Sequence, residues 1–262
     1  MNLLVHCAIQ WNTVLLTRTL CESRYHERMP DPFDSSVWTR PPRSRSGTPA
    51  LSRDQIVKAA LELLDAEGID GLSMRRLGAK LGSGATSIYW HVANKDDLLD
   101  LAIDAVMGEV RLPAAGTDWR PAAAAMVRDL RDVLLRHSWI ASLFGVRLNV
   151  GPNSMALAES MITLLEQAGF AAEEAAYAAS ALSSHAIGAA ITTAAWHTAV
   201  ARSGMTEADL TKSVAAFQEQ QREAYPHVSG WQEAAPLDLP AMQRATFEYG
   251  LERLLDGLAA RL

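Results

Sequence analysis

From Ser52 onward the apolar residues of this chain recur every three or four positions, and no stretch of useful length alternates apolar with polar. A chain patterned in this way buries its apolar surface by packing helix on helix, so the expected fold class is all-α. Its 262 residues suffice for one large domain or two smaller ones with a substantial core. Although 49% of the residues are hydrophobic, none of the apolar runs reaches the ~20 unbroken residues of a membrane span. Cys7 and Cys21 lie near the start, so everything after them must fold without a disulfide, which suits a reducing cytoplasm. The opening MNLLVHCAIQWNTVLL is interrupted by His6, Gln10, Asn12 and Thr13 and lacks a basic leader, so it does not read as a secretory signal.

Residues 1–50 show no sustained period, and Pro30, Pro32, Pro41, Pro42 and Pro49 break up their second half; they read as a mostly disordered extension. Within it, Arg40 to Gly47 (RPPRSRSG) is either a plain linker or a basic arm that lies along DNA. Order begins at Ser52, which with Gln55 has the form of a capping box and opens a helix through Leu64 toward Gly68. Ser73 caps a short second helix to Leu81, and Gly82-Ser83-Gly84 stops it. A third helix over 85–92 and a fourth from the Asn94 cap to about Val110 follow. Further helices are expected at 119–137, 139–148, 153–168, 172–201, 206–223 and 240–261.

Two short helices joined by a glycine turn, the second rich in small polar and aromatic residues, are the ingredients of a helix-turn-helix. The second helix of such a unit enters a major groove about 12 Å wide, which requires short side chains on its exposed face. Ala85, Thr86 and Ser87 are of that kind, while Ile88 and Val92 hold the inner face. Tyr89 and His91 are suited to phosphate oxygens, Lys95 adds charge at the start of the next helix, and Arg75 reaches for a guanine edge or a phosphate. Charge agrees with this placement. Val37 to Lys95 carries nine Lys/Arg against five acids, whereas Asp96 to Leu262 carries twelve against twenty-one, within a net charge of −6. A basic unit can face phosphates while an acidic remainder stays in solvent.

The segment ALELLDAEGIDGLSMRRLGAKLGSGATSIYWHVANKDDLLD, with its YWHV core and the Asn-Lys that opens the fourth helix, resembles the N-terminal unit of the TetR family of bacterial transcriptional regulators. The likeness runs from Leu51 to Asp100 and extends more weakly over the acidic helical remainder, which is similar to the C-terminal domain of the tetracycline-repressor branch. It implies a three-helix DNA-binding domain over 51–97 and a larger helical domain for ligand binding and dimerisation over 98–262. Carried over residue by residue, the DNA contacts fall on Arg75, Thr86, Ser87, Tyr89, His91 and Lys95, with Arg75 and Ser87 reading bases. Trp90 is expected to pack inward.

What the resemblance further implies is a cytoplasmic repressor, associated with the nucleoid, that leaves its operator when a small molecule binds. The fourth helix would carry the movement. Dimerisation would use the helices near 172–201 and 240–261, placing two recognition helices about 34 Å apart on a palindromic duplex. His137 falls near a histidine with which tetracycline repressors hold their drug, but the fourth helix lacks histidine and Thr192 stands at the glutamate position. Tetracycline, a bound metal and any cofactor are therefore not expected. The candidate effector contacts are His137, Trp139, Phe144, Met161, Tyr177, His185, Thr192 and Trp196, a set that suits an apolar or aromatic molecule with one or two polar anchors.

Two other readings stand beside this one. An enzyme would call on His137, His185, His197 and Glu173-Glu174, yet HExxH, CxxC, GxGxxG, GxSxG and the phosphate-binding GxxxxGK[ST] are all absent. No catalytic residue is expected. An all-helical ligand-binding or interaction module with weak or no specific DNA binding is the remaining alternative.

Overall fold

The computed structural model describes residues 36–40, 51–114, 116–228 and 238–262. The sequence readings on Cys7, Cys21 and the stretch 41–47 lie outside the described residues. Nine α-helices lie wholly within the described residues: α1 (Arg53–Gly71), α2 (Met74–Lys80), α3 (Ala85–Tyr89), α4 (Lys95–Met107), α5 (Trp119–Arg136), α6 (Pro152–Ala168), α7 (Ala172–Ser203), α8 (Glu207–Gln220) and α9 (Leu239–Ala259). A 3-10 turn, Ser138–Ser142, stands where a helix over 139–148 was expected. Gly145 at φ +92°, followed by exposed Val146 and Leu148, gives that stretch no buried face on which to continue a helix.

The chain divides into two compact units, one of residues up to 112 with 136–160, the other of 113–135 with 161–262. The helix-turn-helix shares its unit with all of α4 and with the segment 136–160.

In the first unit the starts of the helices follow local rules. Ser52 accepts from the backbone N–H of Gln55 while the Gln55 side chain returns to the Ser52 backbone, the reciprocal capping box. Ser73 accepts from Arg76 N, and Asn94 accepts from Asp97 N at 2.7 Å. Helix α1 bends at Gly68, which has φ +69°, and one further turn follows, so the expected stop at Gly68 is a kink. Ile56, Leu64, Leu77, Ile88 and Leu98, each at most 1% exposed, fill the space among α1 to α4. Ahead of α1, residues 36–40 form a turn within the stretch expected to be disordered. Val37 there is buried, and Arg40 pairs with Asp97 at 2.6 Å.

In the second unit α7 packs on both α8 and α9. Leu134, Leu165, Leu182, Leu251 and Leu255 are the largest of its fully buried side chains. Ion pairs of α5 with α9 flank this core: Arg128 grips Glu248 at 2.7 Å, and Arg120 reaches Glu252 and Asp256 at 2.8 and 2.6 Å. None of the described helices is long and apolar enough to cross a membrane.

Candidate nucleic-acid interface

Helices α2 and α3 meet through a turn that needs its glycines at two places. Gly82 adopts φ +62°, the left-handed region disfavoured for residues with a Cβ. Gly78 lies so close to the turn that a Cβ there would stand 2.8 Å from the Ser83 carbonyl oxygen, while its own carbonyl accepts from Ser83 N at 2.9 Å. Helix α3 is shorter than expected, ending at Tyr89 where 85–92 was read from the sequence.

Ile88 and Val92, at 0% and 1% exposed, hold α3 to the core. Their face being full, the residues between them turn outward, which corrects the expectation for Trp90. Two residues beyond Ile88 is 200° around a helix, and Trp90 is 46% exposed beside Tyr89 at 44%. Thr86 and Ser87 are likewise exposed. Arg75, on α2, is exposed with no side-chain partner among the described residues, whereas its neighbour Arg76 is engaged by Glu67 and the Gly71 carbonyl. That contact holds the Glu67 carboxyl below its usual range. His91 is half-buried. Lys95 donates from Nζ to the Ile69 carbonyl at 2.8 Å, so its charge ties the start of α4 to the end of α1. The unit therefore brings Arg75, Thr86, Ser87, Tyr89 and His91 out around one short helix and gives Lys95 a structural bond as well.

Behind this surface α4 carries Asp96, Asp100 and Asp104, one per turn on a single face. A single stretch of chain holds all three. Arg147 donates to Asp100 Oδ1 at 2.7 Å, to Asp96 Oδ1 at 2.9 Å and to the Asp96 carbonyl at 2.9 Å. Asp104 accepts from Ser154 N and Ser154 Oγ, both at 2.9 Å, and from Asn153 N at 3.2 Å, thereby capping α6. Beyond α4, Glu109 meets Arg136 at 2.8 Å and His137 at 3.1 Å. None of these contacts was expected from sequence, since the partners are 27 to 51 residues apart.

The eight expected effector contacts divide between the two units. His137, Trp139 and Phe144 belong to the first, where His137 Nδ1 lies 2.7 Å from Asp65 Oδ1 and Trp139 Nε1 donates to the same oxygen at 2.8 Å. Both His137 nitrogens face carboxylates and the residue is 8% exposed, so its hydrogen bonds are already spent inside the unit. Phe144 is half-buried. Met161, Tyr177, His185, Thr192 and Trp196 belong to the second unit. Met161 is buried; Tyr177 is exposed and donates to Glu173; His185 stacks on Phe247 at 5.0 Å with Nε2 2.9 Å from the Phe247 carbonyl. Thr192 bonds the Gly188 carbonyl and Trp196 donates to Glu207. Tyr177 and Trp196 stand about 28 Å apart along α7 at 1.5 Å per residue, too far for both to touch one small molecule.

Comparison with known proteins agrees with this geometry. Residues 56–102 match the family described as bacterial regulatory proteins, tetR family, and residues 112–262 match the tetracyclin repressor-like C-terminal domain. An HTH-type transcriptional regulator of Saccharopolyspora erythraea is 42% identical over 227 residues, covering 86% of this chain and 92% of its own. The HTH-type transcriptional repressor DrrR1 of Streptomyces coeruleorubidus is 34% identical, covering 82% of this chain and 80% of its own. Among solved structures, ActR of Streptomyces coelicolor in complex with actinorhodin superposes with a TM-score of 0.68 at 33% identity, covering 80% of this chain and 96% of its own. With a helix-turn-helix whose reading face stands open and both halves of the chain matched, the protein belongs to the TetR family and is a ligand-responsive, DNA-binding transcriptional regulator.

Proposed function

We propose that the protein is a homodimeric repressor that grips a palindromic operator through Arg75, Thr86, Ser87, Tyr89, His91 and Lys95 and releases it when a small apolar or aromatic effector binds. The observation that carries this reading is the outward face of α3, where Thr86, Ser87 and Tyr89 stand exposed, together with the exposed Arg75 of α2, which has no side-chain partner among the described residues. Short hydroxyl side chains let the helix approach base edges, and the guanidinium supplies a bidentate donor to guanine.

Dimerisation through α7 and α9 is supported by what these helices leave uncovered. Ala181, Ser184, Gly188 and Ala195 of α7 are exposed at helical spacing, as are Ala245 and Tyr249 of α9, a surface that lets another helix pair come close. The effector class follows from the apolar and aromatic set on α6 and α7, and from the actinorhodin held by the solved relative. Of the candidates His137, Trp139, Phe144, Met161, Tyr177, His185, Thr192 and Trp196, the anchors we favour are Met161, His185 and Trp196. Helix α4 is the connector, because whatever displaces the start of α6 acts on Asp104. The protein would act in the cytoplasm on nucleoid DNA and perform no chemistry on its effector.

Sedimentation of the protein with a fluorescent duplex carrying the DNA upstream of its own gene tests this reading. Two protomers per duplex, with the complex dispersed by an aromatic probe such as actinorhodin, is the expected result. One protomer per duplex, or a complex indifferent to every aromatic probe, would overturn it.

A further inference from the structure

The geometry points to a further DNA contact, adjoining Tyr89 and His91 and adding residues beyond the six above: an open cavity beside α3, walled by the Ser36–Arg40 turn and equipped with Arg53, which we propose seats a phosphate of the DNA backbone. The cavity is lined by Val37, Arg40, Arg53, Tyr89, Trp90 and His91 among others. Val37 is 4% exposed, so the turn is docked rather than loosely attached, and the Arg40–Asp97 pair at 2.6 Å pins it to the first turn of α4. Asp97 also accepts from Ala93 N at 3.3 Å, which fixes the anchor itself.

That pin neutralises Arg40 and leaves Arg53 as the charge of the cavity. Arg53 is half-buried at the first position of α1 and has no side-chain partner among the described residues, and none of the described residues that line the cavity is a carboxylate. A guanidinium without a counter-charge among the described residues, beside a phenol, an indole and an imidazole, is a donor set for a compact oxyanion. Its planar fork matches phosphate oxygens in pairs. Tyr89 belongs both to this cavity and to the exposed face of α3, so a duplex lying on α3 carries its backbone across the cavity mouth. The inference rests on the DNA-binding reading and adds to it the turn, Arg53 and the exposed Trp90.

Anisotropy of the full-length protein with a random 30-base-pair duplex, from 50 to 200 mM KCl, is the test. Arg53→Ala is expected to weaken binding on the order of tenfold at the lower salt. It should also reduce the slope of log affinity against log salt by about 0.9 per bound protomer, one phosphate's worth of released counterions. Lys58→Ala removes one exposed charge from the same helix outside the cavity and should leave the slope unchanged. Arg53→Lys should keep the slope, and Val37→Asp, which expels the turn, should weaken binding as Arg53→Ala does. An Arg53→Ala slope no different from that of Lys58→Ala overturns the phosphate seat; unchanged binding by Val37→Asp overturns the part assigned to the turn. Absence of any salt-dependent affinity in the unaltered protein would instead strike at DNA binding itself.

Discussion

Asp104 and Ser154, fifty residues apart, share two hydrogen bonds of 2.9 Å, one from the Ser154 backbone and one from its hydroxyl, both to the same buried carboxylate oxygen. Because Asp104 sits on α4 and Ser154 in the first turn of α6, the helix that follows the helix-turn-helix is tied directly to the start of another within the same unit. Asp104→Ala leaves buried donors without an acceptor and should destabilise the protein by about 1–3 kcal/mol, measured by urea unfolding. Asp104→Asn keeps an acceptor oxygen and should cost less. Equal stability of Asp104→Ala and the unaltered protein would refute the link.

The turn between α2 and α3 gives a second expectation. Gly82→Ala forces a Cβ into φ +62° and should cost about 1 kcal/mol. Gly78→Ala should cost more, because its Cβ would press on a backbone carbonyl that has no flexible end to move aside. Thermal unfolding of the two variants checks the order; the reverse order would show that the turn relaxes around Gly78.

Glu109 sets a pH dependence. Burial works to raise its carboxyl, but hydrogen bonds from Arg136 and His137 outweigh it and leave Glu109 below the usual glutamate range. A carboxyl depressed on folding contributes stability above its unfolded value, near 4.3, and loses that contribution as pH falls through the folded value. Glu109→Gln should therefore be measurably less stable than the unaltered protein at pH 7, and the gap should close toward pH 3. A gap that persists unchanged at pH 3 would show that the carboxylate charge is not what holds this corner.

Arg75 and Lys95 should separate in their effects on DNA. Arg75→Ala is expected to weaken operator binding by about 1–3 kcal/mol and to relax base preference, while Lys95→Ala weakens all duplexes alike and lowers the salt slope by about one. Lys95→Ala should also lower stability, because the Ile69 carbonyl loses its donor. Equal loss of specificity in both variants would contradict the division of roles.

Much of this was legible in the sequence because it is local. The Ser52, Ser73 and Asn94 caps, the glycine turn and the 3.6-residue period each declare themselves within a few positions, and helix ends placed by them agree with the structure within a few residues. Where a local signal was weak the reading slipped: Trp90 turns outward because Ile88 and Val92 already occupy the inner face, and beyond Leu143 the stretch to Leu148 has no buried position on which a helix could continue. What stayed hidden is the pairing of distant charges. Nothing in a run of aspartates at 96, 100 and 104 names Arg147 or Ser154 as their partners, and nothing in RPPR suggests that Arg40 is held by Asp97. For the effector contacts, composition located Met161 on α6 and aromatic residues on α7 but could not say that Tyr177 and Trp196 are too far apart to share a ligand.

Selection of bound sequences from a library of random duplexes at moderate salt, with the DNA upstream of the protein's own gene included, tests the central claim most directly. The expected result is enrichment of a palindrome whose half-sites lie about one helical turn apart, abolished in the protein carrying both Arg75→Ala and Ser87→Ala. No enrichment over random DNA, or the same palindrome recovered by the doubly substituted protein, would contradict the account.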